Sequence, residues 1–444
     1  MASSSDAAEL IPGADRMQRR HIVAVTMGNA LEFYDFVTYA FFSIQIGHAF
    51  FPTQSAYASL TLSLATFGAG FLTRPIGAFV IGNYADRAGR RPAMMLCFLL
   101  MGCAIVAMAV IPSYATIGLA APILAVIARM TQGFSLGGEI GSNTAYLSEA
   151  ALPANRGFVV SWQGASQGVA VTAGGLIGVA LTSLLPATAL DAYGWRIAFL
   201  LGAVTVPFGL WLRMSLPETL HRSETAAPAA GAAPAPSRLA QARRHWRIFA
   251  CGLGYLASGT IGTYIFTYIV TYAQDSLHFS ARVGFIASTG GTFLGIPVTL
   301  LAGWLSDRQG RRPLTVWGNL LFLALIYPTF AWIAASRSVF AFITGMICLN
   351  AVSGIATGVF YAALAESLPK SIRGSGFGMI YSIAIAAFGG TTQLVVHWLT
   401  NVTGNPVAPA WYLTGAVAIG QVALILMPES APVKLAKLAQ RPRQ

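Results

Sequence analysis

Apolar runs of about twenty residues, the length that crosses the hydrocarbon of a bilayer, begin near Ile22, Ala58, Ala93, Ile117, Phe158 and Gly194. Others begin near Arg247, Ala281, Pro313, Val339, Arg373 and Ala410. A chain with a dozen such runs has few ways to fold. In lipid each backbone N–H and C=O must be satisfied within its own segment, so each run is read as a helix. Pro75, Pro122, Pro207, Pro297 and Pro328 lie inside these runs without ending them, because bundled membrane helices tolerate proline. Composition points the same way: 9% of residues are charged, where a soluble chain needs roughly a quarter. The expected fold class is an all-α membrane protein with twelve transmembrane helices in two six-helix bundles.

The charges orient the bundles. With both termini cytoplasmic, about 22 of the 27 Lys and Arg fall on the inner side, against Arg196, Arg282 and Arg337 outside. Arg74 and Arg129 remain within the membrane. The stretch TAAPAAGAAPAPS is too rich in Ala and Pro to fold by itself and reads as a tether. The expected organisation is a cytoplasmic tail over 1–20, a six-helix bundle over 21–214 and a cytoplasmic linker over 215–245. A second six-helix bundle over 246–428 and a basic cytoplasmic tail over 429–444 follow. No cleavable signal peptide is expected, since residues 1–15 are polar and acidic.

A net charge of +12 raises the question of nucleic acid. The basic residues lie between apolar runs rather than in one patch, so that partner is excluded. Cys97, Cys103, Cys251 and Cys348 lie in apolar segments without metal-ligand spacing and read as packing residues. Neither a phosphate-cradling Gly loop nor a nucleophile–base pair is present, so neither a nucleotide-driven pump nor an enzyme is indicated. His48 and His278 fall in outer loops. Trp195-Arg196 and His397-Trp398 read as anchors at the membrane interface.

The halves repeat. GNYADRAGRRP (82–92) matches GWLSDRQGRRP (303–313), and each is followed by an E-x6-R-G motif, Glu149 with Arg156 and Glu366 with Arg373. Two motifs in the same order indicate duplicated bundles of the kind that form alternating-access carriers. Gly89 and Gly310 permit a tight turn in each loop. The charges around them form a candidate cytoplasmic gate: Asp86, Arg87, Arg90, Arg91, Glu149 and Arg156 in the first half. Asp307, Arg308, Arg311, Arg312, Glu366 and Arg373 are their counterparts in the second. The glutamates are placed to pair with the arginines, and a helix dipole suits Asp86 or Asp307. The alternative is plain topology charge.

These loops resemble the signature of the major facilitator superfamily. NALEFYDF (29–36), FLTRPIGAFVIGNYADRAGRR (71–91), RMTQGFSLGGE (129–139), YLSEA (146–150) and SWQGASQ (161–167) resemble its metabolite:proton symporter family, the last run being most like the citrate and tricarballylate branch. The resemblance covers the chain apart from its tails and linker. It implies the major facilitator fold, a location in the bacterial inner membrane, and carriage of citrate and other tricarboxylates, 2-oxoglutarate, or proline and betaine with protons.

Depth assigns roles to the intramembrane charges independently of that likeness. Glu32 lies about 15 Å into helix one, near the midplane, and Asp35 follows at i+3 on the same face. Arg129 on helix four is at similar depth, with Arg74 and Glu139 nearer the cytoplasm. Charges at this depth face a cavity or a partner. Glu32, Asp35, Arg129 and Glu139 are therefore the proton-coupling candidates. An ionised Glu32 or Asp35 neutralises Arg129, and protonation frees it, with Arg74, for an anion. A fixed structural ion pair is the alternative. Candidate substrate contacts are Asn29, Arg74, Arg129, Gln132, Gln163, Ser166, Gln167, Tyr264, Tyr268 and Tyr381. In helix seven Tyr264, Tyr268 and Tyr272 form an i, i+4, i+8 stripe that also suits plain helix packing.

The sequence thus reads as a proton-coupled symporter importing a small carboxylate, citrate or a related tricarboxylate first. It would need no cofactor or metal beyond the proton as coupling ion, and would act as a monomer surrounded by lipid. An osmolyte symporter or a non-transporting membrane receptor are the rivals. The short tails argue against the receptor.

Overall fold

A computed structural model describes residues 19–88, 90–137, 144, 147–148, 151–214, 244–369, 373–432 and 434–435. Glu139, Glu149, the 215–243 linker segment and the side chains of Glu32, Asp86, Arg87, Arg90 and Arg91 lie outside the described set.

Within that set, twelve main helices follow one another, six on each side of the linker. In the first bundle α1 is Arg19–Phe41, with Ser43–Phe50 continuing it outward. α2 is Ala56–Leu72 and Arg74–Ala88 in succession, α3 Arg90–Val110, α4 Ala120–Leu136, α5 Arg156–Leu184 and α6 Trp195–Met214. In the second, α7 is Trp246–Asp275, α8 Ala281–Gln309, α9 Arg311–Ser336 and α10 Val339–Ser367. α11 runs Arg373–Ala384 and Gly390–Thr403 through a π-helical turn at Ile385–Gly389, and α12 is Ala408–Leu426. Eight helices are long and apolar enough to cross a membrane by length and composition, with parts of α3 and α4 as shorter apolar helices. The expected starts fall within about three residues of those observed, the usual error of helix ends.

Local chemistry sets several ends. The Ser55 hydroxyl accepts from the Ala58 N–H and caps α2. Gly310 takes φ 105° in the one-residue turn between α8 and α9, a conformation a β-carbon disfavours. Pro297 and Pro328 sit inside α8 and α9, as expected of bundled helices.

The bundles meet along α5 with α8 and α10, α1 with α7, and α2 with α11. Gly157 and Gly303 let α5 and α8 approach so closely at the cytoplasmic end that a side chain on either would strike the other helix. Toward the outer end Gly178 accommodates the Phe285 ring. One apolar cluster runs through both bundles, joining Phe33, Phe36 and Phe71 of the first to Tyr264, Phe360 and Tyr381 of the second.

Two interface anchors are corrected here. Trp195 is fully buried, packed edge-on against Phe50 and Phe199. His397 is buried as well and stacks on Tyr57 of α2. Only the neighbouring Trp398 is exposed as an anchor should be.

Candidate functional site

The first bundle holds two buried guanidiniums on either side of one ring. The Arg74 carbon lies 4.8 Å from the Phe36 centroid and 4.5 Å from that of Phe71. The Arg129 carbon lies 5.1 Å from Phe36, 4.4 Å from Tyr39 and 5.2 Å from Phe67. Sharing Phe36 puts the two cations within about 10 Å of each other, where they repel by about 2 kcal/mol at an effective dielectric of 20. Ring faces offset part of that cost. Close α2–α4 packing fixes the geometry: Gly70 and Gly133 let the backbones touch, and the Thr73 hydroxyl donates to the Met130 carbonyl at 2.7 Å.

Hydrogen bonding leaves this cluster incomplete. Arg129 donates to the Gln132 side-chain oxygen at 2.5 Å. Among the described residues, Nε of Arg74, Nε of Arg129 and both carboxyl oxygens of Asp35 are buried without a partner. Asp35 and Arg129 therefore make no hydrogen-bonded contact, though each lies in the other's field; Glu32, the other expected neutralising carboxylate, has its side chain outside the described set. A buried donor or acceptor left unmade costs about 1–3 kcal/mol, and more when charged. Two cations and one carboxyl are thus buried in the first bundle with polar atoms unmatched by the described residues.

Tyr264 of α7 reaches this cluster from the other bundle, edge-on to Phe36 at 5.8 Å, Phe67 at 6.0 Å and Phe71 at 5.2 Å. Its far side borders a small cavity of about 30 Å³ lined also by Tyr255, Tyr361, Tyr381 and Gln167. That space adjoins a larger one of about 130 Å³ between α5, α7, α8 and α10. Asn350, Ser353, Thr357, Thr299, Thr292 and Ser258 supply its polar wall, with Phe33 and Phe266 among the apolar part. Neither arginine is among the lining residues; Tyr264 and Phe33 stand between the charges and the space.

The other expected contacts are distributed unevenly. Gln167, Tyr264 and Tyr381 border the cavities. Asn29, Gln163 and Ser166 instead bond one another: Asn29 donates to the Ser166 hydroxyl at 2.8 Å, and Gln163 donates to the Asn29 oxygen at 3.1 Å. They tie α1 to α5 and line neither cavity. Tyr268 lies farther out, its hydroxyl 3.3 Å from His397 Nδ1, and Tyr272 donates to the Pro406 carbonyl. Asn350, Ser353, Thr357, Tyr255 and Tyr361 were not anticipated. The polar spacing N-x-x-S-x-x-x-T along α10 was the signal available.

At the cytoplasmic face the second half of the gate is described. Asp307 accepts from the Gly157 and Phe158 N–H groups at 2.8 and 2.9 Å, so its carboxylate caps the start of α5 in the opposite bundle. Arg311 joins the same carboxylate at 2.8 Å and reaches Glu366 at 3.0 Å. Arg156 comes within 3.7 Å of Glu366 across the bundle boundary. Of the other expected members, Arg308 covers the Trp304 ring, Arg312 donates to the Ile425 carbonyl, and Arg373 donates to the Ala365 carbonyl. Glu429, expected in a basic tail, accepts from the Arg311 N–H at 2.8 Å and the Arg312 N–H at 3.3 Å. Burial pushes the Glu429 carboxyl up. The N–H groups of Ala431, Arg311 and Arg312, together with Lys434, outweigh it and hold the group below the usual carboxylate range.

Two six-helix bundles enclosing polar space between them define the architecture of a secondary transporter of the alternating-access type. Residues 25–391 match the Major Facilitator Superfamily, and the chain belongs to that family as a multi-pass inner-membrane protein. It is 38% identical over 416 residues to the citrate-proton symporter of Salmonella typhi, covering 91% of this chain and 93% of the relative. To the alpha-ketoglutarate permease of Escherichia coli (strain K12) it is 34% identical, over 88% and 90%. The fold matches that of a D-xylose-proton symporter with a TM-score of 0.73 at 18% identity, over 93% of this chain and 98% of the other.

Proposed function

We propose that this chain imports a small carboxylate together with protons, with citrate or a close tricarboxylate as its substrate. One observation carries the reading: Arg74 and Arg129 are buried cations with unfilled donors, beside an Asp35 carboxyl that no described residue pairs. An ionised Asp35 offsets part of the field of two arginines. Protonating it leaves that field to a substrate carboxylate, so proton and anion favour the same loaded state. The neutral wall of Gln167, Asn350, Ser353 and Thr357 then supplies hydrogen bonds to the remainder of the substrate. No resident cofactor is required, the proton is the coupling ion, a single copy contains the whole site, and the reading leaves no role for enzyme chemistry. The citrate-proton symporter and alpha-ketoglutarate permease relatives support a carboxylate.

A second reading rests on the rings around the smaller cavity. Tyr255, Tyr264, Tyr361 and Tyr381 could form a box for a quaternary ammonium osmolyte. Proteoliposome uptake separates the two. Labelled citrate, tricarballylate, 2-oxoglutarate and betaine are offered with and without an acid-outside gradient. Gradient-driven accumulation of a carboxylate is expected. In Asp35→Asn, exchange of internal for external substrate should persist while gradient-driven accumulation is lost. Betaine uptake alone selects the second reading, and accumulation of none overturns both.

A further inference from the structure

The outer boundary between the bundles contains a histidine for which the reading above has no use. The His397 side chain, on α11, is 3% exposed. Its ring stacks on Tyr57 of α2 with centroids 4.6 Å apart and planes 22° from parallel. Nδ1 lies 3.4 Å from the Asp275 carboxylate and 3.3 Å from the Tyr268 hydroxyl, both on α7. Nε2 is buried without a partner. Tyr57 belongs to the first bundle and the other three to the second, so the ring contact is one of the joints that hold the outer face together. Gly68 and Gly390, whose backbones touch, bring α2 and α11 close enough to make it.

Two neighbours bear on the charge of the ring. Asp275 ends α7, where the helix dipole disfavours a carboxylate, so it gains from a cation beside it. An imidazolium over the Tyr57 face adds a cation–π attraction that neutral imidazole lacks. Nδ1 has both the Asp275 carboxylate and the Tyr268 hydroxyl in reach while Nε2 has neither, so the neutral ring keeps one basic nitrogen in either tautomer. Asp275, one-third exposed, gives outer water a route to the ring. The ionisable groups facing His397 are Tyr57 from α2 and Tyr268 and Asp275 from α7, with Tyr272 one turn beyond Tyr268. Along α12 the one ionisable residue is Tyr412.

We propose that His397 is a second proton-binding site, a latch that closes the outer boundary between α2 and α11 when it takes a proton from the outer solution. The proton adds to the ring nitrogen that lacks one, and no bond other than N–H is made. Separation of α2 from α11 removes the Tyr57 face, so opening releases part of what holds the charge. By linkage, protonation must favour closure to the same degree. Proton uptake from outside would thus shut the outer face behind an incoming substrate. This extends the proton-symport reading, but its test needs no substrate.

Hydrogen exchange of the purified full-length chain, corrected for the intrinsic pH dependence, reads the latch directly. The outer halves of α2 and α11 should be about five-fold or more better protected near pH 5.5 than near pH 8, the range in which histidine titrates. In His397→Gln that difference should vanish, and in Tyr57→Leu it should shrink. Asp275→Asn should retain it with a midpoint lower by about one pH unit. Equal pH-dependent protection in His397→Gln, or none in the wild type, overturns the proposal. Should His397→Gln not fold, an unchanged midpoint in Asp275→Asn does so instead. Loss of citrate uptake with the protection intact would remove the transport reading and leave the latch.

Discussion

The two bundles share an architecture and divide the chemistry. In the first, α1, α2 and α4 bring Asp35, Arg74 and Arg129 to buried positions inside a shell of rings. In the second, the corresponding depth is walled by Asn350, Ser353, Thr357 and tyrosines, with no ionised group among the cavity-lining residues. A charge in low dielectric acts over several ångströms, whereas a neutral hydroxyl or amide acts only in contact. On the proposed function, the first bundle sets whether an anion and a proton are held at all, and the second sets which molecule fits. Tyr264 belongs to the second bundle yet packs into the ring shell of the first, so any motion between the bundles is transmitted to the arginines.

The division breaks most visibly at single residues. Arg129→Gln should lower the kcat/KM for uptake at least about a hundred-fold, because it removes a buried charge whose anionic partner then stays unpaired. Arg129→Lys should recover part of this, since it restores the charge without the planar contact on Tyr39. Asn350→Ala should raise KM by about two- to ten-fold with kcat little changed, the cost of one neutral hydrogen bond. Uptake kinetics of the three variants in proteoliposomes, with folding checked by gel filtration, decide the matter. Equal losses in Arg129→Gln and Asn350→Ala would mean that the halves do not divide the work this way.

Gate residues test the second contrast, between the inner and outer boundaries. The inner one is closed by charge: Asp307 on the α5 N-terminus, with Arg311, Glu366 and Arg156 around it. Rings close the outer one, Phe41 and Phe42 on Phe285 and Tyr57 on His397. Asp307→Asn keeps one acceptor of two and loses the charge, so it should loosen the inner boundary alone. Exchange of the first turns of α5 and α9 should speed up about ten-fold, roughly 1.4 kcal/mol of closure. Unchanged exchange there would mean that the carboxylate serves topology rather than closure.

Parts of this were legible in the sequence for identifiable reasons. Span length is fixed by the bilayer, so the twelve runs could be placed to within about a turn. The D-R-x-G-R-R repeat marked Asp307 and Arg311 and the E-x6-R-G motif marked Glu366, because charges at short loops have few neighbours to choose from, and the structure brings those three together. Which face of a helix looks inward was not legible. In lipid the outward face is as apolar as the packed one, so apolar periodicity does not show it, and for α10 the signal is the i, i+3, i+7 spacing of Asn350, Ser353 and Thr357. His397 and Trp195 were misplaced for the same reason. Their burial depends on Tyr57, Asp275 and Phe50, distant in sequence. Asn29, Gln163 and Ser166 read in the sequence as substrate contacts, because polarity alone does not separate groups that satisfy each other, as these do here, from groups that face a ligand.

Glu429 gives the smallest effect and tests whether the inner boundary extends beyond the last helix. Its carboxylate takes the N–H groups of Arg311 and Arg312 at the start of α9, and the adjoining Ser430 hydroxyl donates to Glu366 at 3.0 Å. The side chain is 13% exposed, so solvent weakens these contacts only in part. Its pKa is lower in the folded chain than the ordinary value of 4.5. The stability it adds is therefore fully present above that ordinary value and is lost as pH falls through the depressed one. Glu429→Gln should cost about 1 kcal/mol near neutral pH, lowering the apparent Tm by about 1–3 °C in detergent. That gap should close as the pH falls from the ordinary value through the depressed one, where the folded wild-type carboxyl also becomes neutral. A gap that stays constant with pH would assign the effect to packing of the segment rather than to its charge, and would confine the inner gate to the helices themselves.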